Sequence, residues 1–314
     1  MATVTISATD SAPPSCRGGA VAVGNFDGVH LGHAALVAQL RATAAEVGGP
    51  AVGVMFDPHP IALLAPERLR PLLTTPADRA ELMHRAGADH VVILRTTADL
   101  LRLEAGEFLD RIIGEQLAAK AVVEGFNFRF GRGRAGDLEL LGAWCRRRGV
   151  GFTVVGRQAV DCAVVSSSRV RTALEAGDVA MATRLLDRPY RLRGIVGTGA
   201  KRGRTLGIPT ANLTEPATLV PGDGVYAACV QLADGSNWPG AANVGPNPTF
   251  GDKARKVEAH VIGFEGEIYG QPIAMDFVAR LRDTKPFASA DDLVAQLRTD
   301  LDAARRTLSC PPTS

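Results

Sequence analysis

One change of pattern constrains this chain more than anything else in it. Up to about residue 187, short apolar runs alternate with segments of helical length; beyond Arg188-Pro189 the runs are short, β-rich and divided by Gly and Pro. In the first stretch, Ala20–Val23, Ala51–Phe56, Val91–Leu94, Ala121–Glu124 and Phe152–Val155 read as buried strands. Leu31–Val47 reads as a helix, with Leu36, Leu40 and Ala44 four residues apart and Gly48-Gly49 to stop it. Thr75 suits an N-cap, Pro76 the first helical position and Gly87 the end of that helix. Two more helices fall at roughly 104–117 and 137–148. Such alternation builds a parallel sheet with helices on both faces, and ligands of such sheets sit outside the carboxyl ends of the strands.

The second stretch reads differently. Tyr190–Val196, Val225–Leu232, Val257–Ile262 and Ile273–Val278 are strand candidates, and the Gly/Pro clusters between them suggest an antiparallel barrel. One helix follows, capped by Ser289, with Asp291 and Asp292 in its first turn and Leu293, Leu297 and Leu301 as its apolar stripe. The expected organisation is a disordered tail over 1–18, an α/β domain over 19–187, a small β-barrel domain with a C-terminal helix over 188–308, and a tail over 309–314. The 314-residue length fits two domains.

Composition narrows the function classes. Charged residues make up 22% and the formal net charge is +2, so bulk charge gives no support for nucleic-acid binding. No apolar run approaches the ~18 residues of a membrane span, and the first residues lack a secretory pattern. Cys16, Cys145, Cys162, Cys229 and Cys310 are scattered, without a CxxC pair, which argues against disulfides or structural zinc. The expectation is a soluble, reduced, cytoplasmic protein with no nucleic-acid or membrane partner; the oligomeric state is open.

The first strand runs into Gly24-Asn25-Phe26-Asp27-Gly28-Val29-His30-Leu31-Gly32-His33. Glycines at a strand-to-helix turn let backbone approach a ligand, and a helix N-terminus attracts phosphate. His30 and His33, one turn apart, can both donate to phosphate oxygens. Zinc is the alternative, but neither HExxH nor a Cys/His cluster supplies a third ligand. The plain alternative is a core turn with one packed and one exposed histidine.

This segment resembles the GxFDGxHxGH motif of the nucleotidylyltransferase superfamily, in the form used by bacterial FAD synthetases. Phe56-Asp57-Pro58-His59-Pro60, Gly125–Gly131 and Val165–Arg171 resemble three further segments of that family, in order. Taken singly, these are a rigid loop, a turn and a helix cap for a helix starting at Arg169. The resemblance assigns nucleotide binding to Gly24, Asn25, Phe26, Asp27, Gly28, Gly32, Ser166, Ser167, Ser168 and Arg169. It assigns reaction roles to His30, His33 and Arg171, and flavin contact to His59 and Asn127.

In the second stretch, Gly197–Arg204 sets Lys201, Arg202 and Arg204 among glycines, by itself a solvated basic turn. Leu206-Gly207-Ile208-Pro209-Thr210-Ala211-Asn212-Leu213 resembles the GxPTANL motif of riboflavin kinases. Gly224-Val225-Tyr226, Asn243–Phe250, Val257–His260 and Tyr269-Gly270 resemble later kinase segments in the same order. The resemblance implies that Thr210 and Asn212 hold Mg²⁺ and phosphate, that Gly199, Lys201, Gly203 and Arg204 bind nucleotide, and that Glu258 is the general base. Alternation alone puts Glu258 and His260 on one strand face, where two solvated residues would be the ordinary reading.

The resemblance covers about residues 19–305 and points to the bifunctional riboflavin kinase/FAD synthetase family. It implies a Rossmann-like nucleotidylyltransferase domain and a riboflavin-kinase barrel, with ATP, riboflavin, FMN and FAD as substrates or products and Mg²⁺ as cofactor. Riboflavin would be phosphorylated to FMN, and FMN adenylylated to FAD with release of pyrophosphate. The rival readings are the same scaffold with altered nucleotide or flavin-analogue specificity, and a non-catalytic flavin-binding regulator. Asp187, Thr198 and Ala200 depart from the family pattern.

Overall fold

The computed structural model describes residues 1–198, 210–247 and 252–308. The chain divides into two compact units, Met1–Ser166 and Ser167–Ser314.

The first unit is a six-stranded sheet in the order β1-β4-β3-β2-β5-β6. Its strands are β1 (Ala2–Ile6), β2 (Ala20–Val23), β3 (Ala51–Asp57), β4 (His90–Arg95), β5 (Ala121–Gly125) and β6 (Gly151–Val155). All neighbours in it run parallel. Most expected strands lie where the apolar runs are. The expected loose N-terminus does not: Ala2–Ile6 adds an edge strand to β4, Val4 opposite Val92. Its alternating exposure shows why, since Ile6 reaches the core while Thr3 and Thr5 stay outside.

Helices cover both faces. On one, α1 (Leu31–Glu46) and α3 (Pro76–Ala86) bring Leu36, Val37, Leu40 and Met83 against Ala22, Met55 and Val123. On the other, α5 (Ala105–Phe108), its π-helical continuation Leu109–Gln116 and α6 (Leu138–Arg148) pack Ile112, Leu141 and Trp144 against Val21, Val54 and Val122. The single helix expected at 104–117 is thus broken into a short α turn and a wider π stretch, preceded by α4 (Ala98–Arg102). The α3 caps stand as read: Thr75 Oγ1 accepts from Asp78 N–H, and Gly87 is left-handed. Short α2 (Pro60–Leu64) follows β3, and a hairpin, β7 (Ala159–Val160) with β8 (Ala163–Val164), follows β6.

From β2 the chain moves outward through β3 and β4 on one side and returns to β5 and β6 on the other. The order therefore reverses between β2 and β5, where ligands of open α/β sheets bind.

The second unit begins with α7 (Ser167–Glu175) and α8 (Val179–Leu186). The division after Ser166 precedes the expected boundary near residue 187, because α8 packs on β9 and β14 of the barrel. Asp187 ends α8 in the left-handed conformation, φ 59°. That geometry explains the acid at a family glycine position, since Asp is among the few residues that tolerate it.

The barrel is closed in the order β10-β13-β12-β11-β14-β9. Its strands are β9 (Tyr190–Gly197), β10 (Ala211–Thr214), β11 (Gly224–Gln231), β12 (Asn237–Asn247), β13 (Asp252–Val261) and β14 (Pro272–Arg282). Inside, Tyr226 and Phe277 meet edge to face at 5.3 Å. Outside, α9 (Ala290–Leu308) lays Leu301 and Ala304 on Ala227 and Ile262. Arg282 forks onto Asp300 of α9, Nε to Oδ1 at 3.0 Å and Nη2 to Oδ2 at 2.7 Å. Ser289 caps α9 by accepting from Asp292 N–H at 3.1 Å.

Candidate active sites

Three motif segments of the first unit converge on the carboxyl ends of β2, β3 and β5. Gly24–His33 leaves β2, Phe56–Pro60 ends β3, and Gly125–Gly131 leaves β5. The first and last therefore flank the point where the sheet order reverses.

The loop after β2 is tightly built. Gly24 lies under the Phe26 ring, where an added Cβ would approach ring carbons to 3.2 Å; at Gly32 a Cβ would meet the His30 ring at 3.2 Å. Phe26 and Val29 have φ of 49° and 38°, a conformation that costs non-glycine residues of order 1–3 kcal/mol each and gathers at functional sites. His30 and His33 stack with ring centroids 3.7 Å apart, and the Phe26 ring meets His33 edge-on at 5.3 Å. His30 is 7% exposed and His33 half-buried. Asn25 Oδ1 is buried and accepts no hydrogen bond among the described residues, so it suits a ligand donor.

Two of the expected nucleotide contacts also hold the loop together. Asp27 is 3% exposed, and its carboxylate accepts from Leu73 N–H, Thr74 N–H and the Thr74 hydroxyl at 3.0–3.1 Å. Arg79 Nη2 stands 3.4 Å from it. A carboxylate so engaged anchors the loop. Phe26, 2% exposed, props the His33 ring. The Gly28 N–H is also committed, to Thr74 Oγ1 at 3.0 Å.

His59 caps α2: its Nδ1 accepts from Ile61 N–H at 3.2 Å, so the neutral ring carries its proton on Nε2. The Thr96 hydroxyl holds the preceding turn through Pro58 O at 2.6 Å. Asn127 is exposed in the turn after β5, closed by Phe128 N–H to Gly125 O. Ser166 precedes α7, which begins at Ser167, two residues before the expected start at Arg169. Ser167 and Ser168 lie in its first turn; Arg169 donates to Met181 Sδ at 3.8 Å and Arg171 is 9% exposed.

In the second unit, register builds the site. Glu258 of β13 stands directly opposite Asn212 of β10 on one side and Asn243 of β12 on the other. Directly paired residues share a sheet face. That face is the outer one, because Ala211, Leu213, Ala242, Val244, Val257 and Ala259 are buried in the barrel while Asn212, Asn243 and Glu258 are half-buried. Thr210 is half-buried just before β10. Gly199, Lys201, Gly203 and Arg204 lie outside the described residues, as does Ala200; Thr198 is exposed.

Sequence reasoning missed two residues of these sites. Asn243 was only part of a motif, and its place beside Glu258 needs the strand register. Glu124 was only the end of a strand, yet it is 1% exposed and its Oε1 accepts from Val23 N–H at 2.8 Å. Burial pushes its carboxyl well above the usual range, against the pull of the Val23 and Gly125 N–H groups. One acid in the apolar run Ala121-Val122-Val123-Glu124 was the available signal.

Comparison with known proteins agrees with both halves. A family model described as FAD synthetase matches residues 12–169, and one described as riboflavin kinase matches residues 186–308. A bifunctional riboflavin kinase/FMN adenylyltransferase of Pseudomonas fluorescens is 40% identical over 303 residues, covering 95% of each chain. Its namesake in Haemophilus influenzae is 34% identical, covering 92% of this chain and 94% of its own. A Streptococcus pneumoniae crystal structure described as a macrolide-efflux protein superposes with a TM-score of 0.85 at 31% identity, covering 96% of this chain and 98% of its own. With both family models in order and such identity over nearly the whole length, the chain belongs to the bifunctional riboflavin kinase/FMN adenylyltransferase family.

Proposed function

We propose a division of labour in which the β2–β5 crevice serves adenylyl transfer and the Asn212–Glu258 row serves phosphoryl transfer. The chain is a bifunctional transferase: it phosphorylates riboflavin to FMN with ATP and adenylylates FMN to FAD with release of pyrophosphate. The observation that carries the division is the difference in chemical groups. A stacked histidine pair opens α1, whereas a carboxylate flanked by amides sits on the barrel.

The kinase nucleophile is the neutral ribityl 5′-hydroxyl, so it needs a proton acceptor; Glu258 takes that proton. Thr210 and Asn212 offer a hydroxyl and a carboxamide oxygen, neutral hard donors that fit Mg²⁺. When bound, the ion offsets charge on the transferred phosphate. Lys201 and Arg204, with Gly199 and Gly203, keep the nucleotide-binding role that the resemblance implies.

The adenylylation nucleophile is the FMN phosphate, already anionic, so no base is required. His30 and His33 donate to the developing charge at the α-phosphorus and to departing pyrophosphate. His59, through Nε2–H, and Asn127 contact the flavin substrate. Ser166, Ser167, Ser168, Arg169 and Arg171 keep their implied phosphate-gripping role.

A cytoplasmic setting fits the described cysteines, all of them free. No described helix is long and apolar enough to cross a membrane, and the efflux wording stays with the Streptococcus protein.

The test is a time course of purified protein with riboflavin, ATP and Mg²⁺, repeated with FMN in place of riboflavin. FMN should rise first and FAD follow. FMN left unconverted to FAD in both arms would sink the assignment of the β2–β5 crevice.

A further inference from the structure

β2 and β5 are hydrogen-bonded neighbours only at their start, where Ala20 pairs with Ala121 and Val21 with Val122. Beyond that the ladder ends and the two strands lead into different motif loops. On its other side β2 stays paired longer: Val23 opposes Val54, and Gly24 N–H donates to Val54 O at 3.0 Å. Successive N–H groups of a strand point to opposite sides, so the Val23 N–H faces β5 where no ladder carbonyl meets it. Glu124 fills that place, its Oε1 accepting at 2.8 Å.

We propose that Glu124 is a positioning residue for adenylyl transfer: its side chain closes the sheet where β2 and β5 part and so sets the backbone entering Gly24–His33. This rests on the reading that adenylyl transfer occurs at that loop. Val23 is 3% exposed and Glu124 1%, so water does not substitute at either end of the bond. The next residue is Gly24, packed on Phe26, which in turn meets His33. A shift at Val23 therefore passes through two packed contacts to a phosphate donor. Burial pushes the carboxyl pKa up, and the Val23 N–H needs an acceptor there, which an amide oxygen of the same reach can also supply. β2 and β6, the strands on either side of β5, carry no titratable residue.

The experiment compares Glu124→Gln with Glu124→Met in the full chain. FAD formation from supplied FMN and ATP is measured per folded molecule, well below each variant's melting temperature. Gln keeps an acceptor of the same reach; Met keeps length without one. The expected result is a kcat for FAD formation lowered on the order of tenfold to 100-fold in Met and largely restored in Gln. Riboflavin phosphorylation should stay at wild-type rate in both. A purely structural role would lower the melting temperature of the Met variant and leave its kcat intact. That outcome overturns the proposal, as does a Gln variant as slow as Met. If Met fails to fold, Glu124→Asp replaces it; one methylene shorter, it should lose FAD formation as Met does, and wild-type kcat there overturns the proposal. His30→Ala with His33→Ala is run alongside. Retained FAD formation in that pair refutes the underlying site, whereas its loss with normal Glu124 variants refutes only the positioning role.

Discussion

On the division of labour proposed above, the same nucleotide is handled by opposite constructions. In the first, groups for phosphate gather on loops at the carboxyl ends of parallel strands, held by a strained turn, a buried ion pair and a buried acid. In the second, Asn212, Glu258 and Asn243 are aligned by strand register on a closed barrel. The difference follows the nucleophile. An FMN phosphate arrives charged and needs donors around it; a ribityl hydroxyl arrives neutral and needs a base beside it. On that reading, one chain uses ATP twice, at different phosphorus atoms, with different reactive groups.

Perturbing each unit separately sharpens that contrast. Glu258→Ala should have the largest effect, cutting riboflavin phosphorylation by on the order of 100- to 10,000-fold while supplied FMN is still adenylylated. Loss of both activities would instead report misfolding. His30→Ala with His33→Ala should lower FAD formation on the order of 100-fold or more and leave FMN formation intact, read by chromatography of both products.

The anchors of the first unit should show in stability. Asp27→Ala removes the carboxylate beside buried Arg79, 2% exposed at its side chain, and should cost about 3–5 kcal/mol of first-unit stability by denaturant unfolding. A midpoint at the wild-type value would mean that the loop is held by something else.

Glu124 gives a smaller, pH-dependent effect. Burial raises its folded-state pKa, so the native protein holds a proton that the unfolded chain releases, and rising pH favours the unfolded chain. Glu124→Gln removes that penalty. It should be more stable than wild type at about pH 8, with the gap closing at about pH 5, towards the ordinary carboxylate range. Smallest of all, Asp187→Gly should stabilise the second unit by about 1 kcal/mol, since glycine takes φ 59° without strain; an unchanged melting temperature would mean that the Asp side chain compensates.

Much of this was legible in the sequence because apolar periodicity and capping act locally. Ala20–Val23, Thr75, Gly87 and Ser289 behave as their neighbours dictate. What was missed depends on partners far along the chain. Ala2–Ile6 becomes a strand only because β4 offers an edge. β12 was hidden by Pro239 and Gly240, ordinary turn residues that here pair with β11, Gly240 with β13 as well. In the sites, the motif positions were visible, but Asp27 facing inward onto Leu73 and Thr74 was not. Glu124 capping a splayed strand was equally invisible, because sequence spacing carries no information about which strands part.

The most direct test of two independent sites is complementation. Glu258→Ala protein should make almost no FMN yet still adenylylate it; the His30→Ala, His33→Ala protein should make FMN but almost no FAD. Each alone, given riboflavin, ATP and Mg²⁺, should yield no FAD, and an equimolar mixture should yield it after a lag while FMN accumulates. A mixture that makes FMN but never FAD would contradict the division of the two reactions between the barrel and the parallel sheet.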